Sequence, residues 1–418
     1  MSILFQNARI LTMEDDKIIL GELLVEDNKI AYIGKKCPKK ADKIIDCEGN
    51  LLMPGFKNCH AHTAMVFARS ASDDLPLLRW LNEAIFPMEA RFEEGDIYYL
   101  SKAGILEYIA GGITATSDMY FRCPEIVKAS EEMGIRNVLV ATSSEEPVEL
   151  LEERYKAWNK KDSLISYRLG IHAEYTTSKE RIMEIAALAN KLHAKVALHI
   201  GETQSEVNGC VKRYGATPVK FLDSLGLFNY GGIAYHSNFF SDEEIQICKN
   251  RGIDIVTCPA SNAKLASGIC PVLKYIENGL TVSIGTDGAG SNNSLDMFKE
   301  MYLVSALQKL SYLDASKMDG FEVLKMATVN GSKVLDLADA DVLKEGKLAD
   351  IIMIDLSHPS MQPLNNIAKN IVYSGSKDIV KMTMIDGKIL YYNHEFLLNE
   401  DIKALYNKVQ QITDRLKG

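Results

Sequence analysis

Lys195-Val-Ala-Leu-His199 and Gly232-Ile-Ala-Tyr-His236 are two short apolar runs that each end in a histidine, and their reading decides the fold. Neither alternates polar with apolar residues, as a strand with one wet face would, and each is too short for a helix. Near-continuous apolar strands are buried on both faces, the situation of a parallel sheet covered by helices. The same texture recurs in Asn137-Val-Leu-Val-Ala-Thr, Asp254-Ile-Val-Thr-Cys and Thr281-Val-Ser-Ile-Gly-Thr-Asp. Between them lie stretches such as Ser178-Lys-Glu-Arg-Ile-Met-Glu-Ile-Ala-Ala-Leu-Ala-Asn, with apolar residues at helical spacing. About eight strand-helix units between 55 and 342 favour an α/β fold of the (β/α)8 TIM-barrel type over a doubly wound sheet. No G-x-G-x-x-G or Walker-type loop supports a nucleotide fold.

The two ends read differently. Ile3-Leu-Phe, Ala8-Arg-Ile-Leu-Thr, Gly21-Glu-Leu-Leu-Val and Lys29-Ile-Ala-Tyr-Ile-Gly are short strands with a turn at Asp27-Asn28. Their pattern predicts a half-buried antiparallel sheet. Similar strands return in Ala349-Asp-Ile-Ile-Met-Ile-Asp and Lys381-Met-Thr-Met-Ile-Asp-Gly-Lys-Ile-Leu-Tyr. The expected organisation is a small β-sandwich domain built from 1–54 and 343–395, a catalytic barrel over 55–342, and a C-terminal amphipathic helix within 396–418. That helix carries Ile402, Leu405, Val409, Ile412 and Leu416 on one face.

The chain has 418 residues, 47% hydrophobic and 25% charged, which is the composition of a globular protein. Its 47 basic and 56 acidic residues give a net charge of −9, with no basic stripe, which argues against nucleic-acid and anionic-membrane partners. No basic segment leads into an apolar run at the start, and no run approaches a membrane span. Eight dispersed cysteines without a C-x-x-C pair read as reduced thiols of a cytoplasmic protein, Cys59 among them as a packing residue.

Polar residues interrupt the barrel pattern at the C-terminal ends of strands, where barrel enzymes place their sites. His60-Ala-His62 ends the run from Asn50 to Cys59, and residues i and i+2 of a strand point to the same side. His199 and His236 end two more strands and Asp287 ends the last, at separations of 137, 37 and 51 residues counted from His62. A lone H-x-H, a lone histidine or a turn aspartate is each ordinary. Together, at strand ends that a closed barrel brings to one point, His60, His62, His199 and Asp287 read as ligands of one divalent metal ion. Three imidazoles and a carboxylate suit Zn2+, with Fe2+ and Mn2+ as alternatives. Such an ion makes water a nucleophile at neutral pH, which calls for a proton shuttle. Glu202, in His199-Ile-Gly-Glu-Thr, is placed for that role, and His236 for orienting the water. His193, His358 and His394 lie outside the pattern.

At these residues the chain resembles the amidohydrolase superfamily, in its branch of 5-methylthioadenosine/S-adenosylhomocysteine deaminases and related chlorohydrolases. The resemblance spans nearly the whole chain. It is carried by Met53-Pro-Gly-Phe-Lys-Asn-Cys-His-Ala-His, Asp73-Asp-Leu-Pro-Leu-Leu-Arg-Trp-Leu, Gly170-Ile-His-Ala-Glu-Tyr-Thr, His199-Ile-Gly-Glu-Thr, Pro259-Ala-Ser-Asn-Ala-Lys-Leu-Ala-Ser-Gly and Gly285-Thr-Asp-Gly-Ala-Gly-Ser-Asn-Asn. It implies His60, His62, His199 and Asp287 as metal ligands, Glu202 as proton shuttle, and His236 with Asp287 as the groups that activate water. It further implies that Glu89 holds ribose hydroxyls, Trp80 packs on the substrate and His172 hydrogen-bonds a ring nitrogen. Without the resemblance Trp80 reads as core and Glu89 as a helix-surface acid. The strand Tyr167–His172 offers no lysine to bridge two ions, so a mononuclear site is expected.

The implied reaction is hydrolytic deamination of an adenosine-type nucleoside. Glu202 protonates a purine ring nitrogen, water adds at C6, and ammonia leaves to give the inosine analogue. Two departures stand out. The family's His-Ala-Pro-Tyr is His172-Ala-Glu-Tyr here, and the segment from Thr142 to Arg154 is acidic where relatives that accept S-adenosylhomocysteine place carboxylate-gripping arginines. Arg154, the one nearby candidate, reads as a helix-surface residue. The expected substrates are therefore 5′-methylthioadenosine, adenosine and 5′-deoxyadenosine ahead of S-adenosylhomocysteine. The rival readings are deamination of guanine, a pterin or a triazine, and a catalytically inactive scaffold. No motif fixes the oligomeric state, although barrels of this branch are often dimers or larger, so a homo-oligomer is compatible with the resemblance.

Overall fold

The computed structural model describes residues 1–142, 146–161 and 163–418. Five strands come first: β1 (Ser2–Leu11), β2 (Ile18–Glu26), β3 (Lys29–Gly34), β4 (Lys43–Asp46) and β5 (Leu51–Pro54). Eight follow in the middle: β6 (Phe56–Ala61), β7 (Ile113–Met119), β8 (Arg136–Val140), β9 (Ile165–Ala173), β10 (Val196–Ile200), β11 (Gly232–His236), β12 (Ile253–Thr257) and β13 (Val282–Ile284). The last four are β14 (Ile351–Ile354), β15 (Val380–Ile385), β16 (Lys388–Tyr392) and β17 (Glu395–Phe396).

Among the described residues β6 to β13 form an eight-stranded sheet in sequence order, every neighbour parallel. Helices follow the strands, as the apolar runs require. The sheet closes on itself through Asp287 N–H, which donates to His60 O at 2.9 Å. Asn58 ties the same seam: its Oδ1 accepts from Thr286 N at 2.8 Å and its Nδ2 donates to Thr286 Oγ1 at 2.7 Å. Cys59, Val140, Ala197, Ile233, Tyr235 and Val256 fill the interior, so the barrel is a packed core. Cys59 is a packing residue there, and all eight cysteines are buried free thiols.

Among the described residues, nine strands from the two chain ends form the second sheet, in the order β17-β16-β15-β14-β5-β1-β2-β3 with β4 on β1. It is mixed rather than antiparallel: β1 pairs antiparallel with β2 but parallel with β4 and β5. Phe5, Ile10, Val25, Leu52, Ile351 and Met382 share its own core. The run from Asn50 to Cys59, which reads as one strand, is two strands in different sheets. Pro54 lacks an N–H to extend the first ladder, and at Gly55 the chain passes so close to the Thr114 side chain that a Cβ would collide with it.

The final helix spans Ile402–Lys417 and buries Leu405, Ile412 and Leu416. No helix among the described residues is long and apolar enough to cross a membrane.

A buried arginine paired with two aspartates joins the two sheets. Arg136, the first residue of β8, donates from Nε to Asp350 Oδ2 at 2.6 Å and from Nη2 to Asp386 Oδ1 at 2.8 Å. The Asp350 side chain is fully buried. Arg136→Met should cost about 3–5 kcal/mol, because it leaves a carboxylate buried without its partner. The double variant Arg136→Met/Asp350→Leu should recover most of the loss, read as recovery of the thermal midpoint.

Candidate active site

The C-terminal mouth of the barrel gathers the residues singled out at strand ends. His60 and His62 leave β6, His172 leaves β9, His199 leaves β10, His236 ends β11, and Asp287 follows β13. His236 and Asp287 sit at φ of +65° and +61°, a region that L residues rarely adopt. Such strain is sustained only where the surroundings over-determine it, and here it turns the chain sharply from strand to loop.

Around one point the donor atoms converge. His199 Nε2 lies 3.1 Å from His60 Nε2 and 3.3 Å from His62 Nε2. Asp287 Oδ1 lies 3.2 Å from His62 Nε2 and 3.5 Å from His60 Nε2. His62 Nδ1 faces Met119 O at 2.5 Å, and His199 Nδ1 faces His172 O at 2.7 Å. A main-chain carbonyl only accepts, so both Nδ1 atoms must donate, and in the neutral rings both Nε2 atoms then carry lone pairs. Two lone pairs aimed at each other beside a carboxylate repel unless a cation lies between them. Ligands about 2.0–2.1 Å from one shared ion stand roughly 3–3.5 Å apart, and the four separations here run from 3.1 to 3.5 Å. The residues present therefore fit a divalent ion.

Asp287 is held from behind. Ser261 Oγ and Ser291 Oγ donate to Oδ2 at 2.6 and 2.9 Å, leaving Oδ1 toward the histidines. The turn that carries Ser261 is pinned by Glu300, whose Oε2 accepts from Ala260 N at 2.9 Å.

Glu202 is buried beside this set, its Oε2 3.9 Å from His236 Nε2. Ser267 Oγ donates to its Oε1 at 3.1 Å. Burial raises its carboxyl pKa. Glu206, which the sequence reading passed over, accepts from Gly201 N and Glu202 N at 2.8 Å each and so fixes the loop that carries Glu202.

A cleft of ≈ 240 Å³ opens above these groups and contains Trp80, Glu89 and His172 as well as His62, His199, Glu202, His236 and Asp287. Trp80 begins a π-helical turn, Trp80–Ile85, a form frequent at functional sites, and Glu89 follows one turn later. Glu89 Oε1 accepts from Tyr120 OH at 2.5 Å, and burial pushes its carboxyl up to about 7. Tyr120 is a second residue the sequence reading missed. His172 Nδ1 pairs with Thr176 Oγ1 at 2.9 Å.

Arg154 corrects the surface assignment. It is buried, donates to Glu146 Oε2 at 2.7 Å, packs over the Trp158 ring and does not line the cleft. Of the acidic segment, Ser143, Ser144 and Glu145 lie outside the described residues.

A model of the amidohydrolase family matches residues 51–390. The chain is 40% identical over 399 residues to a 5-methylthioadenosine/S-adenosylhomocysteine deaminase of Thermococcus sibiricus, covering 93% of this chain and 94% of the relative. It is 38% identical to a 5′-deoxyadenosine deaminase of Methanothermobacter thermautotrophicus over 91% of both chains. Among solved structures, an adenosine deaminase from Xanthomonas campestris with bound zinc is 30% identical and superposes with a TM-score of 0.94, covering 99% of this chain and 98% of that one. A barrel with this constellation at its mouth, matched by the family model over most of its length, belongs to the amidohydrolase family.

Proposed function

We propose that the protein is a metal-dependent deaminase of adenosine-type nucleosides, releasing ammonia and the inosine analogue. His60, His62, His199 and Asp287 would hold one divalent ion, most simply zinc, the metal bound by the structural relative. When bound, the ion supplies the Lewis acidity that makes water a nucleophile at neutral pH. Glu202 carries a proton to the purine ring nitrogen, its buried carboxyl retaining that proton to higher pH than an exposed one. His236 takes up a water proton through Nε2. In the same cleft Glu89 accepts from the ribose hydroxyls, Trp80 packs on the substrate, and His172 meets the ring.

The observation that carries this reading is the presence, in one cleft, of Glu202 beside the metal-ligand set and of a second, half-buried carboxylate, Glu89, fixed by Tyr120. A free heterocycle needs no second carboxylate, whereas a nucleoside offers it two hydroxyls.

The 5′ side of the substrate meets an apolar wall that includes Leu77, Leu81, Phe86 and Phe121, and no lysine or arginine lines the cleft among the described residues. An amino-acid carboxylate would find no guanidinium there. The test is ammonia release from 5′-methylthioadenosine, 5′-deoxyadenosine, adenosine, S-adenosylhomocysteine, guanine, a pterin and a triazine, with metal content measured on the same sample. The expected result is one divalent ion per chain and kcat/KM about 10-fold or more higher for the first three than for S-adenosylhomocysteine, the worth of one missing charged hydrogen bond. Preference for S-adenosylhomocysteine would overturn the specificity, and turnover of only free heterocycles would overturn the function.

A further inference from the structure

We infer that Asn262 and Asn238 form a buried amide relay that sets the tautomer of His236 and the position of Glu202 together. The relay reads backward from its end. Asn238 Nδ2 lies 2.8 Å from Glu202 O, a main-chain carbonyl that only accepts, so the amide nitrogen must face it. Asn238 Oδ1 is then turned to Asn262, whose Nδ2 donates to it at 3.0 Å. Asn262 Oδ1 is in turn left for His236 Nδ1, 2.8 Å away, which must carry the hydrogen. The neutral ring of His236 therefore presents its lone pair on Nε2, toward Glu202 and the metal-ligand set. One carbonyl orients both amides and one imidazole, with no alternative flip that satisfies all four groups.

All four residues are buried, with Asn262 and His236 each at 1% exposure, so no bulk water competes for these bonds. Flipping either amide would set two acceptors or two donors face to face in a dry site. The relay also joins three strand ends: His236 closes β11, Asn238 lies two residues on, Glu202 follows β10, and Asn262 follows β12. Asn262 sits in the same turn as Ser261, which holds Asp287. A single turn after β12 thereby orients two of the groups proposed to act on water. Asn262 and Asn238 touch no reacting atom, so both are positioning residues. Their effect on turnover rests on the proposed deaminase reading, while the tautomer does not.

The test uses the metal-replete full chain with Asn262→Leu, Asn238→Leu, the double variant and Asn262→Asp. Asn262→Leu frees the ring and is expected to lower kcat for 5′-methylthioadenosine by about 10²-fold, the cost of a misplaced catalytic group, with KM and metal content unchanged. Asn238→Leu is expected to cost about 10-fold in kcat, and the double variant no more than Asn262→Leu alone, because both cut one chain. Asn262→Asp still accepts from Nδ1 but cannot donate to Asn238, so it should recover to the level of Asn238→Leu. Losses that multiply in the double variant, a change confined to KM, lost metal, or Asn262→Asp as poor as Asn262→Leu would overturn the relay. Imidazole 15N NMR of the unaltered enzyme reads the tautomer without turnover, with the His236 ring assigned by its absence in His236→Asn. A neutral ring protonated on Nδ1 supports the relay, and one protonated on Nε2 overturns it. If the enzyme turns over no nucleoside, the deaminase proposal fails and the NMR result alone decides the relay.

Discussion

Glu202→Gln is expected to lower kcat for nucleoside deamination by about 10³–10⁴-fold while leaving metal content and KM nearly unchanged. The amide fills the same volume and keeps an oxygen for Ser267 Oγ, and the main-chain bonds from Glu202 N to Glu206 and from Asn238 to Glu202 O do not involve the side chain. What disappears is the ability to bind and release a proton beside His236. General acid–base catalysis is worth about 10²–10⁴-fold, and a group that both takes and gives a proton lies at the upper end. The expected loss corresponds to about 4–5.5 kcal/mol of transition-state stabilisation. Steady-state kinetics with metal analysis checks it, and a KM rise without a fall in kcat would move Glu202 from catalysis to binding.

The barrel was legible because each parallel strand is buried on both faces and therefore spelled in apolar residues, as in Val196–Ile200 and Gly232–His236. Period and composition do not encode which strand pairs with which. The parallel partnership of β1 with β4 and β5 left no local trace, and neither did the closing bond from Asp287 to His60. Residues 50–61 read as one strand since Leu51–Pro54 and Phe56–Ala61 are both wholly buried, and only the Pro-Gly step marks the change of sheet.

The clustering of His60, His62, His199 and Asp287 was legible from their strand-end placement, and the place of Glu202 beside them from its distance of three residues past His199. The groups that hold them were not. Tyr120, Glu206, Asn238 and Asn262 are polar residues in loops or first turns, and what gives them meaning is a partner elsewhere in the chain. Glu206 offered a weak sign, lying one helical turn past Glu202. That Trp80 and Glu89 face the cleft was legible through the family resemblance alone, because a π-helical turn breaks the 3.6-residue period by which a buried face is recognised. Arg154 misled for a different reason: among acidic neighbours on a helix it reads as solvated, yet Glu146 and the Trp158 ring bury it.

Glu89→Ala is expected to lower kcat/KM for 5′-methylthioadenosine by about 10³-fold while changing that for a free heterocycle by less than about threefold. A hydrogen bond to an ionised acceptor contributes about 1.5–3 kcal/mol, so losing both bonds to a ribose diol costs about 3–6 kcal/mol. Tyr120 OH already occupies Glu89 Oε1 and fixes the carboxylate plane, so Tyr120→Phe should cost about 10-fold through looser aim. Burial raises the Glu89 carboxyl from 4.5 to about 7. The stronger, ionised acceptor therefore prevails only above that value and is lost as pH falls through it. Nucleoside KM should accordingly fall as pH rises from 6 to 8, and Glu89→Gln should abolish that dependence, since an amide does not titrate there. Equal losses for nucleoside and free heterocycle would place Glu89 in the architecture of the cleft instead of at the ribose. No loss for the nucleoside would leave the second carboxylate without a substrate role, and the choice between nucleoside and free-base deamination would turn against the nucleoside.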